Sequence, residues 1–355
     1  MLVLENIPLA PLTTLKIGGP AKYFVEARNV GDVQEAAAFA RSRDLPLFIL
    51  GGGSNLLVAD AGWPGLALKI AIQGINQVQP GPRAEDGKVL FDVGAGESWD
   101  KFVSHAVMAR CAGVECLSGI PGSVGGTPVQ NVGAYGQEVS ETITSVQVLD
   151  LRDKDGQPRD LCPEACGFGY RTSIFNTTER GRFIVLRVIY ALTPEGNPRL
   201  TYTDLQRHFE GRETPPNLAE TREAVRHIRA RKGMLIVPGD PDCQSAGSFF
   251  KNPILTEEQH EDLKRRAAAR GLTVPSYPAL ETRQKVSAAW LVERSGFARG
   301  FSAGRVGIST RHALAIVNRG GATAADVLAL KEQIQHRVEE IWGVRLEPEP
   351  VMVGF

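Results

Sequence analysis

Apolar and polar positions change rhythm several times along this chain. "DVQEAAAFARSR", residues 32–43, carries small apolar residues at helical spacing and predicts a helix capped by Asp32. "LPLFIL" then reads as a short buried strand that runs straight into "GGGSNLLV". Strand, glycine loop, strand is a backbone built to approach a ligand closely. "KVLFDVGAGESWDKFVSHAVMARCAG" predicts strand, glycine turn and helix, "ETITSVQVLDLRDKDGQPRDL" a strand and a hairpin turning at Asp155–Gly156, and "RFIVLRVIYAL" a further strand. "GNPRLTYTDLQRHFEGRETPPN" reads as a surface connection with a short helical piece, and a domain boundary is expected there.

The second half has a different texture. "LAETREAVRHIRARKG" predicts a helix ending at Gly233, and "TEEQHEDLKRRAAARG" one that opens on a capping box of Thr256 and Gln259 and ends at Gly271. "KVSAAWLVERSG" predicts a helix, "HALAIVN" a strand, "TAADVLALKEQIQHRVEEIWG" a long amphipathic helix and "VRLEPEPVMVGF" a closing strand. The pattern is α+β, a glycine-rich lobe followed by a helix-rich one.

Composition narrows the partners. At 355 residues the chain exceeds one ordinary core, so two or three lobes are expected. Forty basic residues balance forty acidic ones, which gives no bulk attraction to nucleic acid or a membrane surface. No run approaches the ~20 apolar residues of a membrane helix, and the N-terminus lacks a basic region, so neither a span nor a signal peptide is expected. The five cysteines form no C-x-x-C and read as reduced cytosolic thiols. The six histidines form no metal-binding pair, and no metal is expected.

With no net charge available, an anion must be held locally. Gly94-Ala95-Gly96 sits between a strand and a helix as a dinucleotide fingerprint does, but Trp99 occupies the third glycine position, which a close helix–strand contact needs small. "GGGSN" (Gly51 to Asn55) and "GIPGSVGGTPVQNVGAYG" (Gly119 to Gly136) fit better. Consecutive glycines expose backbone N–H groups that form an anion nest, and Ser54, Asn55, Ser123, Thr127, Gln130 and Asn131 add uncharged donors. Two tight turns are the plainer reading. "AGSFFKNP" raises a similar choice: Ser248 is either a turn cap or a hydroxyl positioned in a closed pocket, its small neighbours giving access and Phe249 and Phe250 excluding water.

"TTLKIGGPA", "LGGGSNLLV", "GAGESWDKFV" and "GIPGSVGGTPVQNVGAYG" resemble the flavin-binding half of the UDP-N-acetylenolpyruvoylglucosamine reductase family, of the vanillyl-alcohol-oxidase-like fold. The likeness continues through "CGFGYRTSIF", "IRARKGM", "SAGSFFKNP", "SAAWLVERSGF" and "LEPEPVMVG", and "LTYTDL" is similar to the insertion of the longer subtype. The resemblance implies an FAD-binding lobe of two subdomains, residues 1–70 and 71–215, and a smaller α+β substrate lobe at 216–344, with a strand at 345–355 returning near the first. It implies that NADPH reduces non-covalent FAD, and that a UDP-amino-sugar enolpyruvyl ether is then reduced in peptidoglycan precursor synthesis. A cytoplasmic monomer is expected.

Carried over residue by residue, the resemblance makes Ser248 the proton donor, Arg171 of "FGYR" the partner of the substrate carboxylate, and Glu349 the third catalytic position, although Glu347 lies nearby and Pro350 follows. It assigns Gly51, Gly52, Gly53, Ser54, Asn55, Ile120, Pro121, Gly122, Ser123, Gly125, Gly126, Thr127, Gln130, Asn131, Gly133, Ala134 and Arg229 to the cofactor. Tyr202, Lys232 and Asn252 are assigned to the UDP-sugar. Arg229 and Lys232, three apart, would share one helical face, or belong to a solvated basic stripe. A flavin oxidase of the same fold and a non-catalytic nucleotide-sugar-binding protein are the competing readings.

Overall fold

The computed structural model describes residues 1–79, 87–153, 156–279 and 282–355. It divides into two compact units: Met1–Ile7, Ala21–Gly53 and Pro64–Ala230 form unit 1, and Pro8–Pro20, Ser54–Trp63 and Arg231–Phe355 form unit 2. The fold is α+β, with five of the helices below in unit 1 and three in unit 2.

Unit 1 holds a sheet ordered Leu4–Pro8, Pro20–Ala27, Trp63–Ile70, Leu47–Leu50, in which the last two strands run parallel with Leu47 opposite Leu66. Helix α1 (Val30–Ser42) connects Pro20–Ala27 to Leu47–Leu50 and buries Val33, Ala36, Ala37 and Ala40. Its cap is Asn29, not Asp32: the Asn29 Oδ1 accepts from the Asp32 N–H at 2.9 Å, and Asp32 reaches back to the Arg28 N–H. The expected cap was three positions late because both residues are good cap formers.

A second, antiparallel sheet follows the order Pro158–Leu161, Ile143–Asp150, Phe183–Pro194, Val89–Gly94, Ile75–Val78. The expected hairpin joins Ile143–Asp150 to Pro158–Leu161; Asp155 of its turn lies outside the described residues. Helix α2 (Trp99–Met108) starts at the Ser98 cap and packs Trp99, Phe102 and Val103 into the core beside Phe91 and Tyr190. Trp99 is 1% exposed and donates its indole N–H to the Leu117 carbonyl. The bulky residue that spoils a dinucleotide fingerprint is therefore a core anchor. Helices α3 (Pro163–Cys166), α4 (Thr203–His208) and α5 (Leu218–Arg231) complete unit 1, α5 burying Leu218, Thr221, Ala224, Val225 and Ile228.

In unit 2, helix α6 (Glu257–Ala268) has the full capping box of Thr256 and Gln259. Helix α7 (Ala288–Glu293) is shorter than expected, because Gln284–Val286 is a strand and Ser287 the cap. Of "HALAIVN" only Ile316–Asn318 is strand; the His312 ring accepts the Leu314 N–H and holds the preceding residues in a turn. Helix α8 (Ala324–Trp342) ends at Gly343 with φ +68°, and its first N–H groups donate to the Asp60 carboxylate. The core gathers Phe249, Phe250, Leu291, Ile334 and Trp342, and Val351–Val353 pairs in parallel with Leu56–Val58.

Candidate functional site

In unit 1 the two glycine loops touch. A Cβ at Gly52 would stand 2.5 Å from the Gly122 Cα, and one at Gly51 would stand 2.7 Å from the Ser123 Oγ. No side chain larger than hydrogen allows that approach. Ser123 is 8% exposed, and its buried hydroxyl has no hydrogen-bond partner among the described residues. A buried orphan donor is rare enough to need an explanation, and an absent ligand oxygen supplies one. A cavity of about 700 Å³ opens against Gly51, Gly52, Gly122 and Ser123 and is also lined by Arg28, Lys69, Gln73 and Lys101. Lys69 pairs with Glu26 at 2.8 Å and Lys101 with Glu97 at 3.0 Å, both carboxylates lining the cavity too. Three cations against two carboxylates suit a diphosphate. The sequence reading missed these cations, although Lys101 stands four residues after Glu97 at the start of α2.

Two expected ligand donors are committed elsewhere. The Thr127 hydroxyl donates to the Val124 carbonyl at 2.8 Å and pairs with the Tyr190 hydroxyl at 2.7 Å. Asn131, 1% exposed, donates to Glu138 and to the Gly169 carbonyl and accepts the Ser140 N–H. Both hold the loop's shape. Gln130 is half-buried, as are Ile120, Pro121, Gly122, Gly125 and Ala134; Gly133 is buried.

Asn131 also ties the loop to the segment that bears Arg171. Arg171 has φ +57°, an uncommon left-handed conformation for a branched-out side chain. Its carbonyl accepts from Asn176, and its Nη2 donates to the Gly133 carbonyl at 2.6 Å. The guanidinium lies 5.3 Å from the Tyr170 ring centroid. Tyr202 is 42% exposed, with its ring edge-on to Tyr135 at 5.3 Å.

Gly119, at the head of the second loop, is held at both polar atoms. Its N–H donates to Asp100 at 2.6 Å, and its carbonyl accepts from Arg229 Nε at 3.1 Å. Burial opposes ionisation of Asp100, yet Arg222, this N–H and Arg226 hold the carboxyl below the usual range. Burial lowers the Arg229 guanidinium, and the Tyr135 hydroxyl opposes that shift. Arg226 and Arg229 are thus structural partners and not a solvated stripe. Lys232 lies one residue past the end of α5 at Arg231, and Gly233 follows with φ +64°.

In unit 2 a backbone ladder organises the serine segment. The Glu349 N–H donates to the Phe249 carbonyl at 2.9 Å, Phe250 and Pro348 form an antiparallel bridge, and the Lys251 N–H donates to the Glu347 carbonyl at 3.0 Å. Ser248 is half-buried and follows Gly247, whose φ of +76° requires glycine although a Cβ would meet nothing. Phe249 and Phe250 are 0% and 2% exposed. They root the segment in the core of unit 2. The Asn252 side-chain Oδ1 accepts the Ala288 N–H at 2.9 Å, which points the amide so that its N–H₂ is available to a ligand.

The two candidate acids separate here. The Glu347 side chain is 78% exposed beside Lys251, whereas Glu349 is half-buried and its carbonyl accepts from Asn55. Pro350 does no harm. The ladder uses the N–H groups of Glu349 and of Val351, which donates to the Asn55 carbonyl, so the proline occupies a position whose N–H would face away. The Thr14 hydroxyl donates to the Ser245 carbonyl at 2.7 Å, with the Ser54 carbonyl at 3.3 Å as its weaker second acceptor. Among the described residues no cluster of His, Cys, Asp and Glu could hold a metal ion.

Residues 240–353 match the family model described as UDP-N-acetylenolpyruvoylglucosamine reductase, C-terminal domain, and residues 21–159 match that of an FAD binding domain. UDP-N-acetylenolpyruvoylglucosamine reductase of Thermobifida fusca (strain YX) is 45% identical over 360 residues, 99% of this chain and 98% of that one. The Streptomyces coelicolor protein of the same name is 46% identical over 358 residues, 99% of this chain and 90% of its own. The solved structure of UDP-N-acetylenolpyruvylglucosamine reductase from Thermus caldophilus superposes with a TM-score of 0.66 at 29% identity, covering 99% of each chain.

Proposed function

The chain belongs to the UDP-N-acetylenolpyruvoylglucosamine reductase family, and from that premise we propose that Ser248, Arg171 and Glu349 carry its chemistry. The enzyme is an FAD-dependent oxidoreductase that reduces the enolpyruvyl ether of UDP-N-acetylglucosamine enolpyruvate to UDP-N-acetylmuramate, for peptidoglycan synthesis, with NADPH as co-substrate. When bound, FAD supplies hydride transfer.

Hydride arriving at the terminal vinyl carbon breaks the carbon–carbon π bond and leaves an electron pair on the carbon bearing the ether and the carboxylate. Ser248 gives its hydroxyl proton to that carbon and recovers one from water. Serine is a weak acid, but the carbanion is a strong base, and a positioned donor contributes about 10²–10⁴ in rate. Arg171 binds the substrate carboxylate through its planar fork and stabilises the charge that develops there. Glu349 orients these groups or, protonated, polarises the carboxylate. Tyr202, Lys232 and the amide N–H₂ of Asn252 contact the UDP-sugar. The Ser123 hydroxyl, the N–H groups of Gly51 to Asn55 and of the second loop, and the cations Lys69 and Lys101 would hold the FAD diphosphate. Arg229, which holds the Gly119 carbonyl, would stand on the flavin side of that loop.

The observation that carries this reading is the ladder from Phe249 to Glu349, which fixes the serine and the acid on neighbouring backbone positions. The reading includes a cytoplasmic monomer; no helix among the described residues is long and apolar enough to cross a membrane.

Anaerobic stopped-flow on the flavin band tests the assignment. NADPH should bleach the band, and the enolpyruvyl UDP-sugar should restore it quickly. With Ser248→Ala the bleaching should persist and the recovery slow. Unchanged recovery in Ser248→Ala would remove Ser248 as donor, and bleaching without recovery in the wild type would move the weight to a flavin oxidase.

A further inference from the structure

Glu115 is the most buried carboxylate among the described residues of unit 1, at 0% exposure, and no step above uses it. It sits in the 3₁₀ turn Glu115–Leu117, just ahead of the second glycine loop. One oxygen accepts the Gly113 N–H at 2.8 Å. The other accepts the Gln137 side-chain amide at 2.8 Å and the backbone N–H of Arg199 at 3.0 Å. Gln137, 3% exposed, accepts in turn the Cys116 N–H at 2.8 Å. The Cys116 thiol donates to the Arg199 carbonyl at 3.1 Å. Burial and the charge of Glu115 raise the pKa of that thiol, keeping it a donor.

Arg199 is therefore gripped at its N–H and its carbonyl by one buried cluster. Its side chain adds a third hold, donating to the Gly136 carbonyl at 2.8 Å and pairing with Glu141. Two residues on, Thr201 lies so close to Gly136 that a Cβ there would stand 2.6 Å from the Thr201 hydroxyl. Tyr202 is then the N-cap of α4, whose Leu205 packs with Cys116 and Tyr135. A fully buried carboxylate is costly to desolvate and is tolerated only with several donors. Here its donors come from three separate segments, and one of them is the segment that leads into Tyr202.

We propose that the Glu115–Gln137 pair is the positioning device for Tyr202. It locks residues 199–202 onto the Tyr135–Gln137 turn, so that the Tyr202 ring is already fixed edge-on against Tyr135 before the sugar nucleotide binds. The inference rests on the reading of Tyr202 as a substrate contact. The clamp lowers the ordering cost of binding and leaves the NADPH half-reaction untouched.

A double-mutant cycle on the FAD-loaded enzyme tests it. Glu115→Gln removes one acceptor, and the KM for the enolpyruvyl UDP-sugar should rise about tenfold, the upper range for one buried hydrogen bond. The rate of NADPH-driven bleaching should not change. In a Tyr202→Ala background, Glu115→Gln should add nothing further. Arg199→Ala, at a half-exposed side chain, should raise the same KM by about 2–5-fold and decides the matter if Glu115→Gln does not fold. A lowered melting temperature with unchanged KM, or full additivity with Tyr202→Ala, overturns the clamp. An inert Tyr202→Ala overturns the reading of Tyr202 and the clamp with it, whereas an effective Tyr202→Ala beside an inert Glu115→Gln overturns the clamp alone.

Discussion

Glu349 donates its backbone N–H to the Phe249 carbonyl at 2.9 Å. The bond is main chain to main chain, so the side chains of the acid and of Ser248 can each be changed without cutting the ladder that aligns them. Ser248→Ala should keep FAD and NADPH-driven bleaching while flavin reoxidation by the UDP-sugar slows at least about 10²-fold, the lower range for a lost general acid. Rapid-mixing absorbance reads both phases.

Glu349→Gln and Glu347→Gln form a discriminating pair. The first should slow the same reoxidation by about 10²-fold, as for a group acting on the developing charge. The second alters an exposed side chain that lies 3.8 Å from Lys251, and turnover should stay within about twofold, since such pairs are worth little. The reverse ranking in steady-state kinetics would move the third catalytic position to Glu347.

Ser123→Ala and Gly52→Ala probe the cofactor loops with opposite signs for the apoprotein. Removing an unpartnered buried hydroxyl should leave the apoprotein's melting temperature unchanged or higher, while FAD affinity falls about 10-fold, as for a lost bond to a charged group. Gly52→Ala pushes backbone against backbone, since its Cβ would stand 2.5 Å from the Gly122 Cα; it should lower both stability and FAD affinity. Calorimetric melting of apoprotein and fluorescence titration with FAD separate the two.

Asp100 predicts an acid limb. Its carboxyl lies below the ordinary range because Arg222, the Gly119 N–H and Arg226 outweigh burial. A depressed carboxyl contributes stability above its unfolded pKa of about 3.9 and loses it as pH falls through the folded value. Asp100→Asn should melt lower at pH 7, and the gap to wild type should start to narrow below about pH 5 and keep narrowing as the pH falls through the folded value. A gap that is constant with pH, in melts across that range, would mean that Asp100 acts by packing alone.

Local chemistry was legible in the sequence, and long-range partnership was not. The capping box of Thr256 and Gln259 uses residues three apart and formed as read. The touching loops were legible because only glycine suits them. The hydroxyl of Thr127 could not be placed from sequence, since its partner Tyr190 lies 63 residues away, and a polar residue in a glycine loop faces a ligand or the loop itself with the same local signal. Phe249 and Phe250 gave the same ambiguity, and burial settled it for the core. Lys69 and Lys101 gave no motif at all. The assignment of residues 8–20 and 54–63 to unit 2 followed no compositional change, because it rests on pairings such as that of Asn55 with Glu349.

That last pairing spans 294 residues. Leu56–Val58 has Val351–Val353 as its only ladder partner among the described residues. During synthesis this strand therefore leaves the ribosome long before the segment that completes it. Loop closure across such a span is slow, and an apolar strand with open edges invites the wrong neighbour meanwhile. Unit 1 has most of its chain in one run, Pro64–Ala230, and can condense early. Unit 2 must wait for residues near 350, which makes the yield of folded enzyme sensitive to anything that delays or removes the last dozen residues, even though none of Val351–Val353 is assigned to the reaction.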